Sequence, residues 1–233
     1  MNNIQILYNI TTDIKTYIDD VYDKRWTFPG FKQSCPICGA EDCSVKIGFY
    51  YRKQVVIEYE TFYDIPIQRY LCQQKGANNT KHKTFSLLPH KLIPYRKNGL
   101  DMALEIVTYQ QKTKAPYCQI KSFIGAKGKD DFLSLENNQI DDCQNIFARA
   151  FVKIMNVDHL KQHIMAADWR CNNDPVANMI NLIENYNSPF LKGNNLSQAE
   201  KLNLDFFSHL QQDFYSKRHF LFGTNSQKLN LSI

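Results

Sequence analysis

A pair of cysteines in the segment Cys35-Pro-Ile-Cys38-Gly39 restricts how this part of the chain can fold. A tight turn between cysteines at this spacing points both sulfur atoms to the same side, and a following glycine permits the turn. Two thiolates held in this way supply half of a tetrahedral zinc site. One such pair is a weak signal, whereas a second pair beyond a β-rich segment makes a strong one.

A β-rich segment follows at residues 44–72, which are dense in Val, Ile, Tyr and Phe. We expect a hairpin turn at Arg52-Lys53-Gln54, and Pro66 indicates an edge strand or the start of a strand. Cys72 ends the segment, where a second pair of cysteines would begin. Its expected partner is replaced by Lys75, whose ammonium group does not bind a metal at neutral pH.

The fourth ligand of such a site therefore has to come from another position. His82 follows the polar loop after Cys72, and the added loop length costs only about 1 kcal/mol of closure entropy. Cys43 and His90 are alternative donors, and a further interpretation is that the metal was lost and the cysteines are core thiols. The first interpretation predicts a structural zinc ion with four protein ligands: Cys35, Cys38, Cys72 and His82.

The spacing of apolar residues predicts several helices. One is expected over residues 4–22, interrupted near Thr11, and two more at 99–111 and 138–156, the first of them capped by Asn98. A fourth helix is expected to begin at Pro175, because proline is favoured in the first turn of a helix. A last helix is expected to begin at Ser197, where the sequence forms a capping box.

Two short strands are expected outside the β-rich segment. One covers Thr84–Leu88 and ends at Pro89, and the other covers Tyr117–Ile124 within a basic, loop-like region. The cysteines that are not assigned to the metal site are interpreted as packed or incidental thiols: Cys118, Cys143 and Cys171.

These elements predict an α+β protein in which a small N-terminal β-rich zinc ribbon is followed by a mostly helical domain. The predicted boundaries give a helical segment, a zinc-ribbon-like β domain, a helical domain and a flexible tail, at residues 1–30, 31–97, 98–222 and 223–233 respectively. A chain of 233 residues is long enough for one large domain or two small ones.

Charge is distributed unevenly along the chain. Between Lys81 and Lys129 there are ten basic and two acidic residues, a net of +8, and between Asp130 and Asp213 twelve acidic and six basic residues, a net of −6. A basic centre beside an acidic part predicts a polyanion-binding region, and a chance bias on a solvated surface is the alternative. The residues expected to contact double-stranded DNA surround the ribbon: Lys81, Lys83, Lys91, Tyr95, Arg96 and Lys97.

The chain shows no run of about 18 apolar residues, so no membrane span is expected. Its first twenty residues carry Asp13, Asp19 and Asp20 and lack a basic region before an apolar core, so they do not predict a signal peptide. We therefore expect a cytoplasmic protein, in which seven cysteines serve as metal ligands or buried thiols.

The segments CPICG, RYLC and KTFSLLPHKLIPYRK together resemble a known family. They are similar to the N-terminal zinc-ribbon segment of bacterial insertion-sequence and transposase-associated proteins, over about residues 33–110. The most specific parts are Thr84–Pro89 and Pro94-Tyr95-Arg96, and the chain departs from the pattern at Lys75, where related ribbons often have a cysteine. The resemblance implies a ribbon that binds DNA of a mobile element, followed by a helical domain.

The expected function is that of a DNA-binding protein of a transposable element, either an accessory component or the DNA-binding part of a transposase. A separate transposase subunit or a second copy of the chain is the candidate protein partner. Two other functions stay open: a structural zinc-ribbon module for protein–protein interaction, and a divergent catalytic transposase. The last requires carboxylates on strands, and the available ones lie in segments that are predicted helical or loop-like: Asp158, Asp168, Asp174 and Glu184.

Overall fold

The structure is a computed structural model that describes residues 4–8, 10, 12–28, 35–74, 84–129, 135–156 and 172–185. These residues form four strands and five helices: β1 (Ile4–Tyr8), α1 (Ile14–Tyr22), β2 (Ser44–Ile57), β3 (Glu60–Cys72), β4 (Thr84–Pro89), α2 (Leu100–Thr113), α3 (Tyr117–Gly125), α4 (Asn137–Met155) and α5 (Pro175–Asn185). The expectation of an α+β protein is confirmed. Within the residues described, no helix combines the length and the apolar character that a membrane crossing requires.

The chain divides into two compact units. The β unit comprises the described residues up to Val55 and those from Phe62 to Arg96, and the helical unit comprises Val56–Thr61 and the described residues from Lys97 onward. The strands form one sheet in the order β1-β4-β3-β2. β1 runs parallel to β4, with Ile4 opposite Phe85, whereas β3 runs antiparallel to β4, with Gln68 opposite Leu87.

The turn between β2 and β3 lies at Glu58 and Tyr59, whose φ angles are 50° and 63°. Left-handed backbone at both central residues matches the twist of a two-residue hairpin. The predicted turn at Arg52-Lys53-Gln54 is wrong, because these residues continue β2. Glutamate and tyrosine are not residue types that usually mark such a turn. The amino-acid types therefore favour a turn at the polar residues Arg52-Lys53-Gln54 instead.

Pro66 lies inside β3, between β2 and β4, so the expectation of an edge strand or a strand start is wrong. The pairing register of β3 with β4 covers Gln68–Leu71, which begins two residues beyond the proline. The carbonyl of Pro66 accepts a hydrogen bond of 2.7 Å from the hydroxyl of the buried Tyr17. A side chain from α1 therefore binds the backbone at this point in the strand.

The helix predicted over residues 4–22 is present only in the second part of that range. Residues 4–8 form β1 rather than the first turns of a helix, because they pair in parallel with β4, some eighty positions away along the chain. The predicted helix is confirmed from Ile14 onward as α1. Its start is fixed by Asp13, whose carboxylate accepts the backbone N–H of Thr16 at 2.9 Å.

The helical unit confirms three predicted helices, α2, α4 and α5, and corrects two details. The N-cap of α2 is Gly99, whereas Asn98 is buried and donates to the sulfur of Cys143 at 3.6 Å. Residues 117–125, predicted as a strand, form α3, because Ile120 and Ile124 are one helical turn apart and both are fully buried. The prediction of a helix from Ser197 lies outside the described residues.

Candidate metal centre

The first two cysteines lie on a closed backbone turn. The N–H of Gly39 donates to the carbonyl of Cys35 at 2.8 Å, and the N–H of Cys35 donates to the carbonyl of Ala40 at 2.9 Å. Gly39 has a φ of 81°, a left-handed conformation that glycine adopts without steric cost. The glycine after Cys38 is therefore required for the turn that brings both sulfur atoms to one side.

The other two cysteines lie at the open end of the long hairpin. Cys43 immediately precedes β2 and Cys72 is the last residue of β3. The two strands contain 14 and 13 residues, so their outer ends lie side by side. A hydrogen bond of 2.8 Å from the N–H of Gln73 to the carbonyl of Cys43 joins these ends.

The four sulfur atoms, of Cys35, Cys38, Cys43 and Cys72, lie within 4.8 Å of one another. The sulfur of Cys38 is 3.3 Å from that of Cys43 and 3.5 Å from that of Cys72, and the sulfurs of Cys43 and Cys72 are 3.8 Å apart. With Zn–S bonds of about 2.3 Å, the edge of a sulfur tetrahedron is about 3.8 Å. The spacing thus fits one tetrahedral ion, and all four thiols are free.

The four-cysteine cluster is continuous with the core of the β unit. Cys35 and Cys72 are buried, and they belong to the same apolar group as Ile37, Tyr70 and Phe85. The rings of Tyr70 and Phe85 stack with their centroids 5.2 Å apart. The ligands are therefore held by packed side chains, which reduces the rearrangement that binding would require.

The acidity of the thiols differs around the cluster. Burial acts to raise the pKa of Cys35, but hydrogen bonds from the backbone N–H groups of Cys38 and Ile37 outweigh it, and the pKa is lowered. Burial raises the pKa of Cys72 to about 11, and it raises the pKa of Cys43 as well. Cys35 thus ionises more readily than Cys43 and Cys72, and metal binding has to displace protons from those two thiols.

The structure brings together three of the predicted ligands, Cys35, Cys38 and Cys72, and it places Cys43 with them. His82 lies outside the described residues. His90 does not belong to the cluster: its ring is buried, and its Nδ1 accepts the backbone N–H of Ile10 at 3.2 Å. Four close cysteines can therefore hold a metal ion without a histidine ligand.

Of the residues predicted to contact DNA, the described ones lie between β4 and α2, whereas Lys81 and Lys83 lie outside the described residues. The remaining four are Lys91, Tyr95, Arg96 and Lys97. Tyr95 exposes 50% of its surface, and Lys97 is exposed.

A half-buried arginine holds the backbone around Tyr95. The guanidinium of Arg52, on β2, donates to the carbonyl of Ile93 at 3.2 Å and to the carbonyl of Arg96. The N–H of Arg96 donates to the carbonyl of Ile93 at 3.2 Å, which closes a turn. Burial lowers the pKa of Arg52, and the neighbouring Tyr50 hydroxyl partly offsets this effect.

Other lysines of the basic region are engaged with acidic side chains. Lys127 pairs with Glu105 and lies over the ring of Phe123, with its Nζ 4.2 Å from the ring centroid. Lys129 lies 3.8 Å from a carboxylate oxygen of Glu60. These pairs reduce the positive charge that the helical unit presents to a polyanion.

Two of the candidate carboxylates and thiols outside the cluster have structural roles, namely Asp174 and Cys143. Asp174 caps α5 by accepting the N–H groups of Val176 and Ala177 at 2.9 and 3.3 Å. Cys143 is buried on α4, as expected for a packed thiol, and Cys118 is exposed on α3. The following lie outside the described residues: Asp158, Asp168 and Cys171.

Comparison of the chain with protein families, with curated proteins and with solved structures finds no match.

Proposed function

We propose that this protein is a zinc-containing DNA-binding protein, in which the β unit is a zinc-ribbon-like module. The four-sulfur cluster carries the proposal, because an all-thiolate tetrahedral set favours zinc or iron–sulfur chemistry over hard cations. Four protein ligands leave no open position for a water molecule or a substrate. The ion would accordingly stabilise the fold and would not activate a nucleophile.

The DNA-binding part of the proposal rests on charge and on exposure. The stretch from Lys81 to Lys129 has a net charge of +8, and exposed Lys97 follows exposed Tyr95 closely in the chain. Lysine and arginine side chains gain affinity for DNA by releasing counterions from its phosphates. We infer double-stranded DNA as the partner and the cytoplasm as the location, since both DNA and reduced thiols are found there.

The link to a transposable element rests on the resemblance of CPICG, RYLC and KTFSLLPHKLIPYRK to transposase-associated proteins. Under this proposal the chain is an accessory component or the DNA-binding part of a transposase. A separate transposase subunit or a second copy of the chain would then assemble with it on the DNA.

Binding of fluorescently labelled duplex DNA to the zinc-loaded protein tests the proposal. We expect affinity that falls with rising salt and is lost when a chelator removes the zinc. Replacing Lys97 by glutamine should lower the salt slope by about 1 if this side chain neutralises one phosphate. Replacing Lys15, an exposed lysine on α1, by glutamine is the matched control and should leave the slope unchanged.

The result that contradicts the proposal is a zinc-loaded protein that binds no duplex DNA at low salt. A salt slope that changes equally in the Lys97 and Lys15 variants would contradict the assignment of the contact surface.

A row of apolar side chains on β2 favours a second candidate, a protein-interaction module. Val45, Ile47, Phe49 and Tyr51 occupy alternate positions of β2, and each exposes between 37% and 50% of its surface. β2 is the last strand in the sheet order formed by the described strands. Exposed apolar rows on such strands are sites where another chain can bind.

Sedimentation of the wild type and of a Phe49→Ser variant tests this second candidate. Self-association that is lost in the variant, together with no DNA binding by either protein, would favour the interaction module over the DNA-binding protein.

A further inference from the structure

We propose that residues 93–96 form a rigid turn that presents Tyr95 to an unstacked base, so that the protein prefers DNA with unpaired nucleotides over an intact duplex. This inference rests on the proposed DNA-binding function and goes beyond it by naming the feature of the DNA that is recognised.

Tyr95 combines two features that do not favour folding. Its φ is 62°, a left-handed conformation that is unfavourable for a residue with a bulky side chain. Half of its surface is exposed to solvent, although its ring is one of the large apolar groups of the β unit. Backbone strain of this kind tends to persist at functional sites, where the surrounding structure enforces it.

The surrounding structure does enforce the conformation of this turn. Arg52 binds the carbonyls of Ile93 and Arg96, which lie on either side of Tyr95. Leu92 and Ile93, which lead into the turn, each expose only 1% of their surface. The turn is therefore fixed on a buried support, and a preorganised backbone carries the half-exposed ring of Tyr95.

The residues around Tyr95 indicate the ligand. A tyrosine ring stacks on the face of any base, but a base inside a duplex has both faces covered by its neighbours. Arg96 and Lys97, which follow Tyr95 directly, are positively charged and suit the adjoining phosphates. An exposed ring that two cations follow in the chain thus fits a base that has left the stack, in a single strand or at an unpaired position in a duplex.

The test compares three labelled DNAs of the same sequence: an intact duplex, a duplex with unpaired bases, and a single strand. Because one stacked base contributes about 1–3 kcal/mol, the wild type should bind the DNAs with unpaired bases about 5- to 150-fold more tightly than the intact duplex. Tyr95→Phe should keep this preference, whereas Tyr95→Gly should lose it and keep the affinity for the duplex.

Tyr95→Gly is suited to the test because glycine adopts a positive φ freely, so the fold should not be weakened. Tyr63→Ala removes another exposed tyrosine, on β3, and should leave the preference unchanged. Arg52→Lys replaces the residue that positions the turn. It should reduce the preference for unpaired bases more than the affinity for the duplex, because a single ammonium group cannot reproduce the planar fork of the guanidinium.

Equal affinity of the wild type for all three DNAs would overturn this inference and leave the DNA-binding function intact. A preference for unpaired bases that survives in Tyr95→Gly would overturn the role of Tyr95. Absence of binding to every DNA would overturn both this inference and the proposed function.

Discussion

Replacing Cys43 by serine tests the composition of the metal site. The sulfur of Cys43 lies 3.3 Å from that of Cys38 and 3.8 Å from that of Cys72, so the substitution removes one corner of the sulfur tetrahedron. Structural zinc sites bind with about 10–16 kcal/mol in small zinc-finger peptides. One quarter of this free energy is about 3 kcal/mol, so we expect zinc affinity to fall about a hundredfold.

The assay is competition for zinc between the purified protein and a chromogenic chelator, at fixed pH because the thiols bind protons in competition with the metal. His82→Ala is the informative comparison, since His82 is the other candidate for the fourth ligand. Cys118→Ser removes an exposed thiol on α3 and serves as the control for the loss of any cysteine. Zinc affinity that is unchanged in Cys43→Ser but falls in His82→Ala would refute the four-cysteine site.

Three further predictions concern stability and are measured by denaturant unfolding. Asp13→Ala should lower the free energy of unfolding by about 0.5–2 kcal/mol, since it removes the cap of α1. The hydrogen bond from the Thr16 N–H lowers the pKa of Asp13, so this contribution should be present near neutral pH and lost as the carboxylate is protonated in acid. An equal effect of the substitution at neutral pH and in acid would contradict this reasoning. Lys114→Gly should raise the free energy of unfolding by about 0.5–1 kcal/mol, because Lys114 ends α2 with a left-handed φ of 55°. A lower free energy of unfolding in this variant would refute the reasoning. Burial lowers the pKa of Lys153 to about 8, so the protonated lysine disfavours folding at neutral pH, and wild-type stability should rise as the pH increases through 8 toward the ordinary value of 10.5. Lys153→Met should therefore raise the free energy of unfolding by about 1–3 kcal/mol near pH 7, with a smaller gain near pH 10; a gain that does not depend on pH would point to packing alone.

Local patterns predicted the elements whose stability is local. α2, α4 and α5 follow from apolar residues at helical spacing. α5 also begins at Pro175, which agrees with the preference for proline at the first position of a helix. β1 was missed because its strand conformation depends on parallel pairing with β4. Such pairing between distant segments leaves little trace in the composition of five residues.

The candidate metal site was predicted in part for a related reason. Cys35 and Cys38 form a local motif, so the sequence is sufficient to bring their sulfur atoms together. The sequence leaves Cys43, His82 and His90 open as the fourth ligand and favours His82 as the nearest donor after the polar loop, because spacing alone does not show which of them lies beside Cys72. With the turn at Glu58 and Tyr59, the nearly equal lengths of β2 and β3 bring Cys43 beside Cys72.

The most direct test of the metal site is X-ray absorption at the zinc edge of the protein purified with bound zinc. The proposed four-cysteine zinc site predicts one zinc ion per chain with four sulfur neighbours at about 2.3 Å. Three sulfur neighbours with one nitrogen at about 2.0 Å, or a protein that binds no zinc under reducing conditions, would contradict it.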